Sequence, residues 1–507
     1  MKILTASQIR DIDAYTIAHE PIASIDLMER AAGAFVTWFV AHYTHAQPIK
    51  LVCGPGNNGG DGLAIARLLH EQSYPVEVYV VPFTGKTSND FAGNLERLPD
   101  NVPVREISET AQIPVFKSSG IVIDALFGSG LSRAVSGLAA EVIGAINQAV
   151  VVVAVDIPSG LFVDAPNASG DVIVKATHTV SFHLPKLAFL LPENARFVGD
   201  WHLVDIGLHP EAIAQAQTRW LYTDEAIARA YLHQREKFSH KGTHGHALLI
   251  AGSYGMMGAA ILSARACLRA GVGKLTVHAP RSANDLMQSS VPEAIFQAGP
   301  DETITLTDWN RDKLAGFAAI GIGPGLGVDE KIAGSIGLLA AHCGDIPLVM
   351  DADALNNLST ARGRSILEHL PKNTILTPHP GEFRRLLNRD WQNDYQKLDL
   401  LAEFAVRHKV IVCLKGAHTA VALSDGHLYF NSTGNPGMAT GGTGDVLTGI
   451  ITALLAQQYP PVQAAMLGVY LHGLAGDIAA RHKSTYAMIA SDLYTYLPEA
   501  FLHLIKP

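Results

Sequence analysis

Short unbroken runs of valine, isoleucine and leucine, each stopped by glycine, proline or aspartate and followed by a helical stretch, leave this 507-residue chain few folds to choose from. PIKLVCG (48–54), VEVYVVP (76–82), GIVIDALFG (120–128) and VVVAVDIPSG (151–160) alternate with stretches such as GLAIARLLHEQ (62–72) and LAAEVIGAINQA (138–149). Strands apolar on both faces must be covered on both faces, and strands joined through helices pair in parallel, so these runs predict a mostly parallel sheet between helical layers. Shorter extended pieces, HTVSFHLPK (178–186) and GDWHLVDIG (199–207), follow. A fresh series then runs through HALLIAGS (246–253), KLTVHAP (274–280), FAAIGIGPG (317–325), PLVMDAD (347–353), NTILTPH (373–379) and VIVCLKG (410–416). The change of character between Leu208 and His246 predicts two α/β domains, residues 1–218 and 219–507. At the amino end Ser7 is expected to cap a first helix, and Ser24–His42 has the apolar spacing of a second.

Composition narrows the class further. Hydrophobic residues make up 48% and charged residues 17%, enough apolar material for two cores and too much for disorder. A net charge of −9 argues against a nucleic-acid surface. Cys53, Cys267, Cys343 and Cys413 form no CxxC pair, which excludes a disulfide scaffold and a structural zinc site and predicts buried free thiols. The amino terminus does not read as a secretion signal, and the longest apolar run has strand length, so a cytoplasmic protein without membrane spans is expected.

The glycines concentrate at strand ends. Gly54-Pro55-Gly56-Asn57-Asn58-Gly59-Gly60-Asp61-Gly62 opens a helix directly after a strand, where bare amides and the helix amino end suit a phosphate. Asp124 and Asp156 each end an apolar strand, the end at which doubly wound sheets collect ligands. Gly128-Ser129-Gly130-Leu131-Ser132-Arg133-Ala134 offers a second glycine-bearing wall with a cationic side chain. Asn58, Asp124 and Ser159 are the oxygen donors of a hard cation, a reading the residues alone leave level with ordinary hydrogen bonding.

In the second half, NPGMATGGTGDVLTG (435–449) places Gly441, Gly442 and Gly444 ahead of an apolar helix with Asp445 in its first turn. Amides there can stabilise a transferred phosphoryl group while Asp445 acts as a base toward a hydroxyl. Lys415-Gly416-Ala417-His418-Thr419 follows a strand and can hold a nucleotide phosphate. His379, between two prolines in TPHPGE, and the Gly323–Gly327 and Gly252–Gly255 turns end further strands. No GxxxxGK[ST], HExxH or GxSxG occurs, so phosphate handling is of a non-Walker type.

Together these motifs resemble a known pair of families. GPGNNGGDG, DALFGSGLSR and AVDIPSG resemble the Rossmann-like NAD(P)H-hydrate epimerase domain; KGTHGHALLIAGS, GIGPGLG, TPHPGEF, LKGAHT and NPGMATGGTGDVLTG resemble the ribokinase-like ADP/ATP-dependent NAD(P)H-hydrate dehydratases. Their order is that of bacterial bifunctional repair enzymes and covers nearly the whole chain. The resemblance implies that Asn57 to Asp61 and Gly128 to Ala134 bind the hydrated nucleotide, with Asp156 as acid/base. Asn58, Asp124 and Ser159 would bind potassium. Ala260, Gly325, His379 and Asp445 would contact the hydrate in the second domain, and Lys415 to Thr419 with Gly444 would hold the nucleotide. It further implies NADHX and NADPHX as substrates and ADP with magnesium as co-substrate; a homo-oligomer is expected. A ribokinase-like small-molecule kinase fused to a non-catalytic nucleotide-binding module is the competing expectation.

Overall fold

The computed structural model describes residues 1–83, 85–117, 120–299 and 309–505. They form two compact units, Met1–Thr218 with Asn393–Tyr395, and Arg219–Gln392 with Gln396–Pro507.

The first unit is built on seven strands: β1 (Ile49–Cys53), β2 (Val76–Val80), β3 (Val104–Glu106), β4 (Ile121–Ala125), β5 (Val151–Val155), β6 (His178–Phe182) and β7 (Asp200–Val204). Their order is β3-β2-β1-β4-β5-β6-β7 and every pairing is parallel. Alternation along the strands feeds two cores. Leu51, Ile123 and Val153 pack with Phe35, Phe39 and Leu63 on one face; Val52, Val122 and Val152 pack with Val142, Ile143 and Ile146 on the other. The edge strand β3 is exposed and partly charged, as an unprotected edge requires, which is why no apolar run announces it. The first helix, Ala6–His19, is capped by Thr5 rather than Ser7: Thr5 Oγ1 accepts from the Gln8 amide at 3.2 Å and Gln8 Oε1 accepts from the Thr5 amide at 3.0 Å. The helix Ser24–His42 has the expected bounds.

Among its described residues the second unit carries ten strands: β8 (Trp220–Thr223), β9 (His246–Ile250), β10 (Lys274–Ala279), β11 (Ile295–Ala298), β12 (Ala319–Ile322), β13 (Leu348–Met350), β14 (Ile375–Leu376), β15 (Ile411–Leu414), β16 (Ala420–Ala422) and β17 (Leu428–Asn431). Their order is β11-β10-β9-β12-β13-β14-β15-β16-β17-β8. The sheet is parallel from β11 to β15, turns antiparallel through β16 and β17, and ends with β8 parallel to β17. The helices Met257–Arg269 and Thr443–Ala456 lie so close that a Cβ on Gly449 would stand 2.2 Å from the Ser263 carbonyl oxygen. All four cysteines are buried free thiols. Among the described residues no helix is long and apolar enough to cross a membrane.

Candidate active sites

In the first unit the strand order reverses between β1 and β4, and ligand crevices of open parallel sheets lie beyond the carboxyl ends of strands at such points. The glycine-rich segment after β1 stands there. Gly56 is the N-cap of the helix Asn57–Glu71, so Asn57, Asn58, Gly59, Gly60 and Asp61 form its first turns. Close packing dictates several of the glycines. A Cβ on Gly54 would lie 2.1 Å from the Leu126 carbonyl oxygen, one on Gly59 1.7 Å from that of Gly54, and one on Gly62 2.6 Å from the Ala125 methyl. Gly56 and Asn57 instead face open space. An anion site here rests on these exposed first-turn amides, not on the glycine count.

Asp124, fully buried at the end of β4, accepts from the Ser159 hydroxyl at 2.6 Å and the Ser159 amide at 2.8 Å. Ser159 Oγ in turn accepts from the Phe127 amide at 2.8 Å, and the Phe127 carbonyl accepts from Asn58 Nδ2 at 3.1 Å. The three predicted cation ligands are therefore linked in one chain of hydrogen bonds, Asp124 to Ser159 and Ser159 through Phe127 to Asn58. Burial pushes the Asp124 carboxyl up to about 6 against the lowering effect of its Ser159 and Leu126 hydrogen bonds. A buried carboxylate with the Ser159 hydroxyl bonded to it, and the Asn58 amide beyond the Phe127 carbonyl, is an oxygen donor set of the kind a potassium ion takes. Gly128 lies against Asn58, the Cβ position being 3.1 Å from the Asn58 Cβ, whereas Gly130, Ser132, Arg133 and Ala134 run outward into solvent, leaving Ser129 and Leu131 half-buried between them.

Asp156 ends β5 with a left-handed backbone, φ 65°, a strained conformation of the kind functional sites retain. That turn delivers its carboxylate to Lys186: Nζ donates to Asp156 Oδ1 at 2.6 Å and to Ser181 Oγ at 2.6 Å, and the lysine side chain is 1% exposed. The Phe182 amide donates to the same Asp156 oxygen at 3.2 Å. Two further carboxyls share this field. Burial pushes Asp13 up to about 6, with Asp156 adding to the rise and Lys186 opposing it; burial pushes Asp61 well up, reinforced by Asp156, Asp13 and Asp90. Sequence reasoning singled out neither Lys186 nor Asp13. The lysine sits inside a piece quoted only as a strand, and Asp13 is one of two acids on the first helix.

In the second unit the order reverses between β9 and β12. The turns after these strands interlock: Ser253 Oγ donates to the Gly325 carbonyl oxygen at 2.8 Å, and a Cβ on Gly325 would come within 2.8 Å of the Met256 carbonyl oxygen. Gly325 is buried, and Ala260 lies fully buried beneath Gly252, so the groups that open outward in this corner belong to Tyr254 and Met256.

Asp445 stands in the first turn of the helix Thr443–Ala456, whose N-cap Gly442 has φ 92° and supplies no side-chain cap, leaving its leading amides to a ligand. Burial pushes the Asp445 carboxyl up to about 7, with Asp351 raising it further, Lys415 opposing and Asp353 adding a smaller rise. Asp351 is the hub. Its Oδ1 accepts from Lys415 Nζ at 2.8 Å and its Oδ2 from the Thr448 hydroxyl at 2.8 Å, and both groups abut Gly444, whose Cβ position is 3.2 Å from Lys415 Nζ. Glu382 Oε2 is 3.9 Å from the same ammonium. Burial alone would lower Lys415, but Asp351 and Glu382 outweigh it and hold it above its ordinary value. Burial raises Glu382, opposed by Lys415.

His379 caps the helix Pro380–Leu387: its amide donates to Glu382 Oε2 at 2.8 Å and its Nδ1 accepts from the Gly381 amide at 3.0 Å, leaving the ring half exposed. In the Lys415–Thr419 turn Gly416 and Ala417 are exposed, Thr419 is buried against Gly416, and His418 Nδ1 lies 3.0 Å from the Asn431 carbonyl oxygen. Partly exposed His472 is pushed down to about 4 by desolvation and, as a neutral ring, donates to the Thr443 carbonyl oxygen at 2.9 Å, bracing the turn that carries Asp445. Asp351, Thr448, Glu382 and His472 escaped sequence reasoning, although Asp351 carries the signal used for Asp124 and Asp156, an acid ending an apolar strand.

The chemistry laid out this way has relatives. Residues 24–188 match the family described as YjeF-related protein N-terminus, and residues 247–499 match the family described as NAD(P)H-hydrate dehydratase. The bifunctional NAD(P)H-hydrate repair enzyme of Moorella thermoacetica is 36% identical across 99% of this chain and 97% of its own; that of Thermofilum pendens is 34% identical across 99% and 96%. The chain belongs to the bifunctional NAD(P)H-hydrate repair enzymes. It joins an epimerase domain to a dehydratase domain, and its substrates are nucleotides. A ribokinase-like superfamily protein of Enterococcus faecalis V583 aligns at 27% identity over 58% of this chain and 99% of its own, with a TM-score of 0.50, which makes the second fold of this repair enzyme ribokinase-like.

Proposed function

We propose that residues 1–218 interconvert the R and S forms of hydrated NADH and NADPH, and that residues 219–507 dehydrate the S form with ADP. The observation that carries the second assignment is Asp445, a carboxyl pushed up to about 7 at the uncapped amino end of a glycine-headed helix, beside Lys415. A base for a hydroxyl works best with a pKa near the operating pH. Asp445 takes the proton of the C6 hydroxyl, whose oxygen attacks the terminal phosphorus of ADP as the bond to AMP breaks. The leading amides of the helix and Lys415 stabilise the charge on the transferred group. Phosphate then leaves C6, pushed by the ring nitrogen, and loss of a C5 proton restores the reduced nicotinamide. Gly325 and His379 would face the hydrate; Lys415 to Thr419 with Gly444 would hold the nucleotide. Magnesium would arrive on the ADP diphosphate, with Asp353 and Glu382 as oxygen donors of the type it takes.

In the first domain Asp156 serves as the acid/base, held by Lys186, with the exposed Asn57 end of the helix and the Gly128–Ala134 loop around the dinucleotide. Potassium held by Asn58, Asp124 and Ser159 would fix the Gly128 loop against the first-turn amides. We further propose a cytoplasmic homo-oligomer, which sedimentation of the purified protein tests.

The deciding assay incubates the protein with both NADHX epimers and ADP and follows recovery of NADH absorbance and release of phosphate. Asp445→Asn should abolish dehydration and keep epimerisation; Asp156→Ala should do the converse. Accumulation of a stable phosphorylated product would instead identify a kinase.

A further inference from the structure

The second unit has an open cavity of about 340 Å³ lined by Tyr254, Met257, Pro280, Ala283 and Leu286. It lies at the carboxyl ends of β9 and β10, beside the point where the strand order reverses. Its apolar groups are unusually bare: Tyr254 is 77% exposed and Leu286 45%, with Met256 at 54% on the same turn. Large apolar side chains clustered in the open beside a binding crevice mark a surface that a ligand covers. We propose that this cavity binds the purine base of the dinucleotide hydrate, with Tyr254 as its stacking platform. The inference rests on the dehydratase reading above and extends it to the half of the substrate that does not react.

Three observations favour this occupant. The Ser253–Met257 turn is a shared wall: its Met256 carbonyl and Ser253 hydroxyl meet Gly325 on one side, and Tyr254 and Met257 line the cavity on the other. A dinucleotide whose reacting ring lies by Gly325 and Asp445 must carry its second base elsewhere, and this is the adjoining apolar recess. The recess suits a base in size and chemistry, since it falls at the small end of ligand sites, and an aromatic face accepts any base by stacking. ADP is placed differently. Its loop follows β15, four strand spacings from β9 in the order β9-β12-β13-β14-β15, or roughly 19 Å at the usual interval, with the Gly325 turn after β12 lying between.

The test compares wild type, Tyr254→Phe and Tyr254→Ala with two hydrates, S-NADHX and the hydrate of reduced nicotinamide mononucleotide, which lacks the adenosine half. ADP-ribose, which keeps the adenosine and lacks nicotinamide, serves as inhibitor. Base–aromatic stacking of about 1–3 kcal/mol converts to an effect of about five- to 150-fold. Tyr254→Ala should raise KM for NADHX by that factor, weaken ADP-ribose inhibition equally, and leave kcat, KM for the mononucleotide hydrate and KM for ADP within about twofold. Tyr254→Phe should keep wild-type values. An equal rise for both hydrates, a rise for ADP, or no change anywhere would overturn the proposal while leaving the dehydratase reading intact. A wild-type protein inactive on both hydrates would instead remove the dehydratase reading, and this inference with it.

Discussion

Removing the charge of Asp351 tests whether Asp445 is the base. In the wild type burial pushes the Asp445 carboxyl up to about 7 and Asp351 adds to the rise, with only Lys415 pulling the other way among the larger influences. With a base at about 7, roughly a tenth is ionised at about pH 6 and nine-tenths at about pH 8, so kcat for dehydration should rise about tenfold across that interval. Asp351→Asn changes two influences in one direction. It deletes a like charge, and it releases an ammonium now bonded to Asp351 at 2.8 Å, whose attraction then falls more fully on Asp445. Glu382, Asp353 and His472 are untouched. The acid limb should therefore move to lower pH, and the ratio of variant to wild-type kcat should be larger at about pH 6 than at about pH 8, by at most about tenfold. The absolute rate will fall, since Lys415 loses the partner that aims it, but ADP's own titration and any uniform loss cancel in the ratio. Recovered NADH absorbance at saturating hydrate and ADP is the assay, with thermal unfolding to confirm the fold. A wild-type profile flat across the interval, or a limb in Asp351→Asn that stays put or moves up, would refute the assignment.

Other consequences follow from the same geometry. Moving the Asp124 carboxyl from 3.8 to about 6 costs its ionised form about 3 kcal/mol. A carboxyl raised on folding stabilises fully below its unfolded pKa and loses that contribution as pH rises through about 6, so a cation that offsets the buried charge should help most at high pH. Replacing sodium by potassium should raise the melting temperature clearly at about pH 8 and little at about pH 4. Lys186→Met strands a largely buried carboxylate and should cost on the order of 3 kcal/mol of unfolding free energy in denaturant titration, with loss of epimerisation beyond what unfolding explains. Gly62→Ala must push aside the Ala125 methyl and Cys53 Sγ, 2.6 and 2.7 Å from the new carbon, and should destabilise by about 1–3 kcal/mol; Gly56→Ala, with nothing within 4 Å, should be near neutral in stability.

Apolar runs reveal a strand to the reader of a sequence when both of its faces are buried, and hide it otherwise. β1, β4, β5, β9 and β12 are central and lie within the runs that predict them. β3 and β11, at sheet edges, and β16 and β17, in the antiparallel margin, are short or amphipathic and leave no such run. The sites divide similarly. Residues in glycine-marked loops are legible because bare turns at strand ends are uncommon. Lys186 and Asp351 are not, because what makes them matter is a partner far along the chain: Asp156 thirty positions before the lysine, and Lys415 sixty-four after the aspartate. Periodicity cannot carry such pairings. Glycine itself is an ambiguous sign, since Gly54, Gly59 and Gly62 are demanded by packing whereas Gly56 and Gly441 face open space.

The two aspartates proposed as catalysts differ in who holds the nearest lysine, and that difference fits the chemistry each must perform. Lys186 donates directly to Asp156, backed by Ser181, so this carboxylate is kept oriented and charge-paired through a reaction that returns every proton it borrows. Lys415 donates to Asp351 instead and only partly offsets the burial of Asp445, which stays close to neutrality, able to take a hydroxyl proton and release it each turnover. Exchanging these arrangements would defeat both sites. A lysine bonded to Asp445 would make it too weak a base for an alcohol, and an unpaired Asp156 beside Asp13 and Asp61 would face two carboxyls that burial already pushes toward protonation. On the proposed mechanism Asp351 would matter to dehydration alongside Asp445: it takes the hydrogen bond of the Lys415 ammonium, which then only weakens the rise of the base.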